Sequence, residues 1–364
     1  MKVLLVTNVP THYRMPLYEE LQRRVDLDVV FYSDGQEWYW RQTSAPPTQS
    51  LRSARTLHGF WVGRTRLVPS LVPLVLTTDA DVVVKDPNGK FALPVTYLAA
   101  RLRRKPFVFW ASLWEHPTTP VHRLTRPLMR YLYRHADAIV TYGRHVTRFV
   151  VAEGADPSRV VESPQSVPPR FAPPPSVDRW SAPRHLLYVG RLERWKGVDL
   201  LLDALRSVPG NWTLDVVGDG AERSALEEHA RPLGGRVTFV GGVPNDELAD
   251  RYQRAAAVVI PSRRTAQVSE TWSLVVNEAM QAGALVVASD AVGAARDGLV
   301  SPSTGLVVPE GSVTALAAVL TRLVNDDDPS PYVALARAGQ EAVREYSYER
   351  AAAAFVTAAE MALS

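Results

Sequence analysis

The stretch "LLYVGRLERWKGVDLLLDAL" (186–205), followed shortly by "TLDVVGDG" (213–220), decides the fold. Leu186 to Val189 form an apolar run of strand length, and Gly190 ends it. Val198, Leu201, Leu202 and Leu205 then recur at helical spacing, and a second run, Thr213 to Val217, again stops at glycine. Strand, helix and strand in so short a span make a parallel βαβ unit. Because these strands lack polar alternation, both of their faces must be covered.

The same alternation extends outward in both directions. Upstream lie "KVLLV" (2–6), "LDVVFY" (27–32), "DVVVK" (81–85), "FVFW" (107–110) and "AIVTY" (138–142); downstream lie "RVTFV" (236–240), "AVVI" (257–260) and "LVVAS" (285–289). The expected architecture is α/β, with two Rossmann-like, doubly wound parallel-sheet domains in series. A length of 364 residues exceeds one ordinary core and suits two. The boundaries read as an N-terminal domain at 1–165, a linker at 166–184, a C-terminal domain at 185–345 and a last helix at 346–364. Proline sets the linker: "SPQSVPPRFAPPPSVDRWSAP" (163–183) holds seven, which remove amide donors and favour extended chain. The last segment, "YSYERAAAAFVTAAEMALS" (346–364), is an alanine-rich helix former expected to pack back on the first domain.

Composition narrows the chemistry. The absence of cysteine excludes disulfides, thiolate metal sites and a thiol nucleophile. The opening "MKVLLVTNVP" reads as a buried first strand because Thr7 and Asn8 interrupt its apolar run. No stretch reaches the ~18 apolar residues of a membrane span. A cytoplasmic location follows as the expectation. Residues 1–180 carry 24 Lys+Arg against 15 Asp+Glu, and the remainder 17 against 23. The front half is thus the one fitted to meet something anionic. Neither half carries a recognised nucleic-acid motif.

Two loops concentrate the candidate chemistry. Arg191 and Lys196 stand where the strand 186–190 turns toward its helix, two cations fitted to a diphosphate or simply exposed on a loop. "VGDG" (217–220), with Gly218 and Asp219, and the turn Gly241 to Val243 are glycine turns at strand ends; neither completes a dinucleotide fingerprint. The second loop opens "SETWSLVVNEAMQAG" (269–283), where Glu270 and Glu278 are separated by seven residues. The helix is expected to start near Trp272 or Ser273 and to stop at Gly283. Glu270 then precedes the helix, whose first amides, from Thr271 to Leu274, suit an anion. Glu278 lies inside it among Val275, Val276, Ala279 and Met280, a setting in which a carboxylate needs a partner.

Taken in order, "VGRLERWKG", "VGDG", "PS" and "ETWSLVVNEAMQAG" closely resemble the retaining nucleotide-sugar glycosyltransferases of family four, which have the GT-B fold. The E-x7-E pattern is that family's hallmark, and the resemblance runs through "SDAVGAARDGLVSPSTGLVVPEGSVTALAAVL" (289–320). The segment "TNVPTHYRMPLYEEL" (7–21) resembles one branch that begins Tyr-Arg-x-Pro-Leu. The resemblance implies two domains facing across a cleft, acceptor bound by the first and donor by the second. It gives Arg191, Lys196, Ser273 and Leu274 the donor diphosphate. Glu270, Thr271 and Trp272 fall to the transferred sugar, Glu278 to the ribose, and Gly218, Asp219, Gly241 and Val243 to the nucleoside. "WASLWEHP" (110–117) falls where the family often has a histidine facing the donor sugar, which marks His116 as catalytic together with Glu270. His12, Tyr13 and Arg14 fall to the acceptor side.

The chain departs from the family pattern in three places. "NVPTHYR" replaces a Gly-Gly turn, Ser273 stands where glycine is usual, and "GAARD" (293–297) leaves Asp297 as the acid of that motif. The implied reaction is transfer with retention from a nucleotide-diphosphate sugar, UDP- or GDP-linked, to a hydroxyl acceptor, with no tightly bound cofactor and no metal. Asp26 with Asp28, and Asp79 with Asp81, read as surface turns. A basic face is expected on "HRLTRPLMRYLYRHA" (122–136), where Arg123, Arg126, Arg130 and Arg134 recur at helical steps and Pro127 marks the helix start. That face could rest on an anionic membrane, giving a peripheral place on its inner surface, or could be merely solvated. Two rival readings stay open: a non-catalytic sugar-nucleotide-binding partner, and a GT-B sugar-nucleotide epimerase.

Overall fold

The computed structural model describes residues 1–33, 36–37, 40–41 and 48–364. They gather into two compact units. One comprises Met1–His116, Pro120–Pro168 and Ser347–Ser364, and the other Pro117–Thr119 and Pro169–Tyr346.

In the first unit the strands are β1 (Lys2–Thr7), β2 (Asp26–Phe31), β3 (Gln36–Glu37), β4 (Trp40–Arg41), β5 (Ala54–Thr56), β6 (Phe60–Val62), β7 (Thr65–Leu67), β8 (Val82–Lys85), β9 (Phe107–Ala111), β10 (Ala138–Thr141) and β11 (Val160–Glu162). The helices interspersed with them are α1 (Met15–Arg24), α2 (Leu71–Thr77), α3 (Ala92–Leu102), α4 (Pro120–His135) and α5 (Arg144–Ala152). β3 with β4 and β6 with β7 form small antiparallel hairpins. The other strands form one sheet in the order β11-β10-β9-β8-β1-β2-β5, parallel throughout. Its central strands are buried almost without exception, as the unbroken apolar runs require.

The second unit repeats the plan. Its strands are β12 (Arg184–Val189), β13 (Trp212–Val217), β14 (Val237–Gly241), β15 (Ala257–Ile260), β16 (Leu285–Ser289) and β17 (Leu306–Val308). Its helices are α6 (Val198–Arg206), α7 (Arg223–Ala230), α8 (Asn245–Arg254), α9 (Leu274–Gln281), α10 (Gly293–Asp297), α11 (Val313–Asn325) and α12 (Ser330–Ala342). The parallel sheet runs β14-β13-β12-β15-β16-β17. Each sheet therefore reverses its strand order once, between β1 and β8 and between β12 and β15. Such switch points open a crevice at the strands' carboxyl ends.

The last helix, α13 (Tyr348–Leu363), belongs to the first unit, where it packs on α1 and β10. Ala351, Ala352, Ala358 and Ala359 are buried, small enough for close approach, and Phe355 meets the Trp110 ring edge-on at 4.8 Å. From Pro169 onward the proline-rich stretch is part of the second unit. Trp180 is buried and stacks on Tyr332 at 5.2 Å, and the Ala172 amide donates to the Gln281 carbonyl at 3.1 Å.

The structure differs from two local expectations. Pro127 lies inside α4, which starts at Pro120. Arg123 and Pro127 are both exposed, so the carbonyl that loses its partner can be hydrated. Asp26 and Asp28 lie within β2 instead of a surface turn, and the buried Asp28 accepts from Ser53 at 2.7 Å and from Arg55 at 2.9 Å. The four α4 arginines, Arg123, Arg126, Arg130 and Arg134, are all exposed, and Arg126 and Arg130 also pair with Glu153. Among the described residues no helix is long and apolar enough to cross a membrane.

Candidate active site

At the carboxyl end of the second sheet the exit loops of β12, β13 and β14 are laced by backbone hydrogen bonds. The Gly190 amide donates to the Val217 carbonyl at 3.0 Å, Leu192 to Asp219 at 2.9 Å, and Gly218 to Gly241 at 2.8 Å. Gly218 has φ +131°, and a Cβ built there would collide with the Gly190 carbonyl. The turn is thus glycine for reasons of close packing as well as conformation. Arg191, Asp219 and Gly241 consequently sit on adjacent loops of one sheet end. Asp219 is exposed and caps the Gly220 amide at 2.8 Å, while Val243 is half-buried two residues past β14.

A single turn, Arg194–Lys196, brings Lys196 back toward β15. Its ammonium pairs with Glu270, whose other carboxylate oxygen accepts from Ser262 Oγ. Ser289 Oγ in turn donates to the Ser262 carbonyl. The two charged side chains are only 12% and 6% exposed, and each is satisfied by the other, which such burial demands. The Trp195 ring backs both cations: Lys196 Nζ lies 4.4 Å from its centroid and Arg191 Cζ 5.5 Å.

Helix α9 begins at Leu274, with Ser273 as its N-cap. Ser273 has φ +83°, one of two non-glycine residues in that region among those described, and its buried Oγ has no hydrogen-bond partner. Thr271 is half-buried beside it. Trp272 is buried and donates from Nε1 to Asn277 at 2.7 Å. The Glu270 carbonyl accepts the Gly293 amide at 3.1 Å, tying the loop to α10. Gly283, at φ +69°, donates to the Met280 carbonyl at 3.0 Å while Ala284 donates to Ala279 at 2.9 Å, closing α9 with a Schellman motif.

Glu278 accepts a hydrogen bond from the Tyr252 hydroxyl on α8 at 2.7 Å. Burial pushes its carboxyl above the ordinary range, against the pull of Tyr252 and Arg170. Burial, reinforced by Glu278, pushes the Tyr252 phenol far up. Asp297 is buried and accepts from Tyr346 at 3.3 Å.

The remaining candidates belong to the first unit. His12 is exposed and meets Tyr13 edge-on at 5.3 Å. Arg14 donates to the Tyr142 hydroxyl and lies 4.0 Å above the Trp110 ring. His116 Nε2 bonds the His122 carbonyl at 2.8 Å. The structure thus brings Lys196 and Glu270 together, seats Ser273 next in the chain to that pair's loop, and gives Glu278 its own partner. Ser262 enters as the "PS" serine without having been assigned a role, and Tyr252 left no sequence signal beyond an inward helix position. Among the described residues no three His, Asp or Glu groups cluster in a way that could hold a metal ion.

The family described as Glycosyl transferases group 1 matches residues 178–342. The chain is 30% identical over 289 residues to 2-deoxystreptamine glucosyltransferase of Streptomyces kanamyceticus, covering 72% of each chain. It is 34% identical over 167 residues to glycogen synthase of Mycobacterium tuberculosis, covering 44% of this chain and 38% of that enzyme, so it spans well under two thirds of that relative. The crystal structure of Anabaena HepE in complex with UDP and glucose superposes with a TM-score of 0.73 at 19% identity, covering 99% of this chain and 97% of that one. That likeness establishes the fold, GT-B, and at such identity nothing further.

Proposed function

The chain belongs to the group 1 glycosyl transferases, and on that premise we propose that it transfers a sugar from a nucleotide-diphosphate sugar to a hydroxyl acceptor with retention at the anomeric carbon. The observation that carries the reading is the buried Lys196–Glu270 pair beside the α9 N-terminus, at the switch point of the second sheet. An ammonium has three N–H donors, and Glu270 occupies one direction, so Lys196 has donors to offer phosphate oxygens. With Arg191 and the amides of Ser273 and Leu274 it would stabilise the charge that develops on the leaving diphosphate, in a metal-independent reaction.

Glu270 and Thr271, next to Trp272, hold hydroxyls of the transferred sugar, and Glu278 exchanges its Tyr252 contact for the ribose hydroxyls. Gly218, Asp219 and Gly241 to Val243 border the nucleoside. His116 serves the donor sugar, and His12, Tyr13 and Arg14 the acceptor, so residues 1–165 bind acceptor and 185–345 bind donor. In a front-face reaction the acceptor oxygen bonds the anomeric carbon as the bond to the β-phosphate breaks. The acceptor proton passes to the departing phosphate oxygen. A trapped covalent glycosyl-enzyme contradicts this order of events.

UDP is the first nucleotide to test, because the HepE structure contains it. A thermal-shift panel of UDP, GDP, ADP and dTDP checks the site. One nucleotide is expected to raise the melting temperature, with the effect lost in Lys196→Ala and Arg191→Ala; no response to any of them contradicts the reading. Envelope polysaccharide, glycolipid and secondary-metabolite acceptors all fit a hydroxyl nucleophile.

A second proposal, peripheral contact with anionic membrane, is favoured by the outer side of α4. There Val121, Leu124, Leu128 and Tyr131 form an exposed apolar stripe, with Leu124 83% exposed, and Arg123 and Arg134 are exposed as well. Flotation with anionic vesicles should carry the wild type and leave a Leu124→Ser, Leu128→Ser variant behind. A wild type that does not float ends this proposal.

A further inference from the structure

The first unit contains a cation that its own fold does not neutralise. Arg14 stands just before α1, its guanidinium 4.0 Å above the Trp110 ring, 5.5 Å from the Tyr142 ring, and bonded to the Tyr142 hydroxyl. Among the described residues no carboxylate forms an ion pair with it; the carboxylate of Asp86 is committed to Lys85 and Asn88. Withdrawing a guanidinium from water among aromatic rings costs free energy, and the ring faces offset only part of that cost.

Two buried polar atoms in the same neighbourhood are without partners, Trp110 Nε1 and Thr11 Oγ1. The first belongs to the ring under Arg14. The second belongs to the residue whose carbonyl accepts the Arg14 amide at 2.9 Å. β1, β9 and β10 direct these groups to one end of the first sheet, since Thr11 follows β1, Trp110 is the penultimate residue of β9, and Tyr142 follows β10.

We propose that this cradle binds an anionic group of the acceptor, a carboxylate or a phosphate ester, so that the sugar is moved to an acidic acceptor. The inference rests on the transferase reading above and deepens it. A neutral acceptor could satisfy the orphaned Thr11 hydroxyl and the indole, but it would leave the guanidinium uncompensated. A planar, two-oxygen anion meets the arginine fork and brings acceptors for the indole N–H at the same time. The excess of cations in residues 1–180 would steer such an acceptor toward this unit.

The Trp110 indole N–H reports the site directly. In the full ¹⁵N-labelled chain, with the signal assigned by Trp110→Phe, we would titrate inorganic phosphate, glucuronate, glucose and UDP at constant ionic strength set with sodium chloride. Phosphate or glucuronate should move the signal, and whichever does so at lower concentration identifies the ester or the carboxylate; glucose should not. Arg14→Gln should weaken the anion effect by at least about tenfold, with Arg14→Lys between it and the wild type. Silence toward both anions, or an unchanged response in Arg14→Gln, overturns the inference. A tighter, Arg14-dependent response to UDP overturns it as well, by giving the cradle to the donor. UDP thermal shift on the same samples separates the failures. If UDP stabilises wild type and Arg14→Gln alike, both are folded and only the acceptor inference falls; if neither UDP nor the anions act, the transferase reading falls with it.

Discussion

Glu278 carries its charge in a setting that disfavours it. Its folded-state carboxyl titrates above the ordinary value because of burial. The sign follows by linkage: the apo protein loses stability as pH rises through that raised value, and regains it as pH falls toward the unfolded value. A glutamine keeps an acceptor for Tyr252 and removes the charge. Glu278→Gln is therefore expected to stabilise the apo protein at neutral pH by about 1 kcal/mol and to weaken nucleotide binding about tenfold. Urea unfolding at neutral and mildly acidic pH checks the first effect, since the gain should shrink on the acid side; nucleotide titration checks the second. Ser273 stores a different kind of cost, a side chain at φ +83° with an orphaned hydroxyl. Ser273→Gly should raise the unfolding free energy by about 1 kcal/mol, read by the same denaturation. At this scale the sequence marked acids in apolar surroundings, Glu278 above all, but not their partners. Tyr252 and Ser262 meet the two glutamates from other elements, and no periodicity along the chain encodes such a meeting.

Helices and strands were legible where burial was continuous. β8, β9, β10, β15 and β16 are unbroken apolar runs because both sheet faces are covered. The short outer strands were not legible: β5 and β11 are three residues each, include exposed residues and pair on one side only, so neither presents an apolar run of strand length. Pro127 in the sequence suggests a helix start, a position proline favours, but the exposed face on which it sits tolerates the missing bond inside α4. Glycine at strand exits was readable as a turn, but the reason at Gly218 is the neighbouring carbonyl of Gly190, which cannot move without breaking the β12 and β13 exits. Gly218→Ala should thus destabilise the protein by about 2 kcal/mol or more and loosen nucleotide binding, whereas alanine at Gly235, which has open space around it, should be nearly neutral. Chemical denaturation of the two variants side by side tests the contrast.

Over the whole chain, the repeated strand–helix rhythm made two doubly wound sheets legible, because only parallel pairing covers so many apolar strands. Strand order was not legible, since reversal at the switch point depends on which helices cross which face. Parallel pairing gathers Arg14, Trp110 and Tyr142 at one end of the first sheet, and the reversal between β12 and β15 brings the Arg191 and Lys196 loop beside the Glu270 and Ser273 loop at one end of the second. In the second sheet, the switch point is the place where a nucleotide sugar would be activated. Nucleotide release from a panel of UDP-, GDP-, ADP- and dTDP-sugars, with water or an added acceptor, measures that activation in wild type, Arg191→Ala and Glu270→Ala. The wild type should turn over one donor class, and each variant should be slower by about a hundredfold or more. Turnover that persists unchanged in both variants would contradict it.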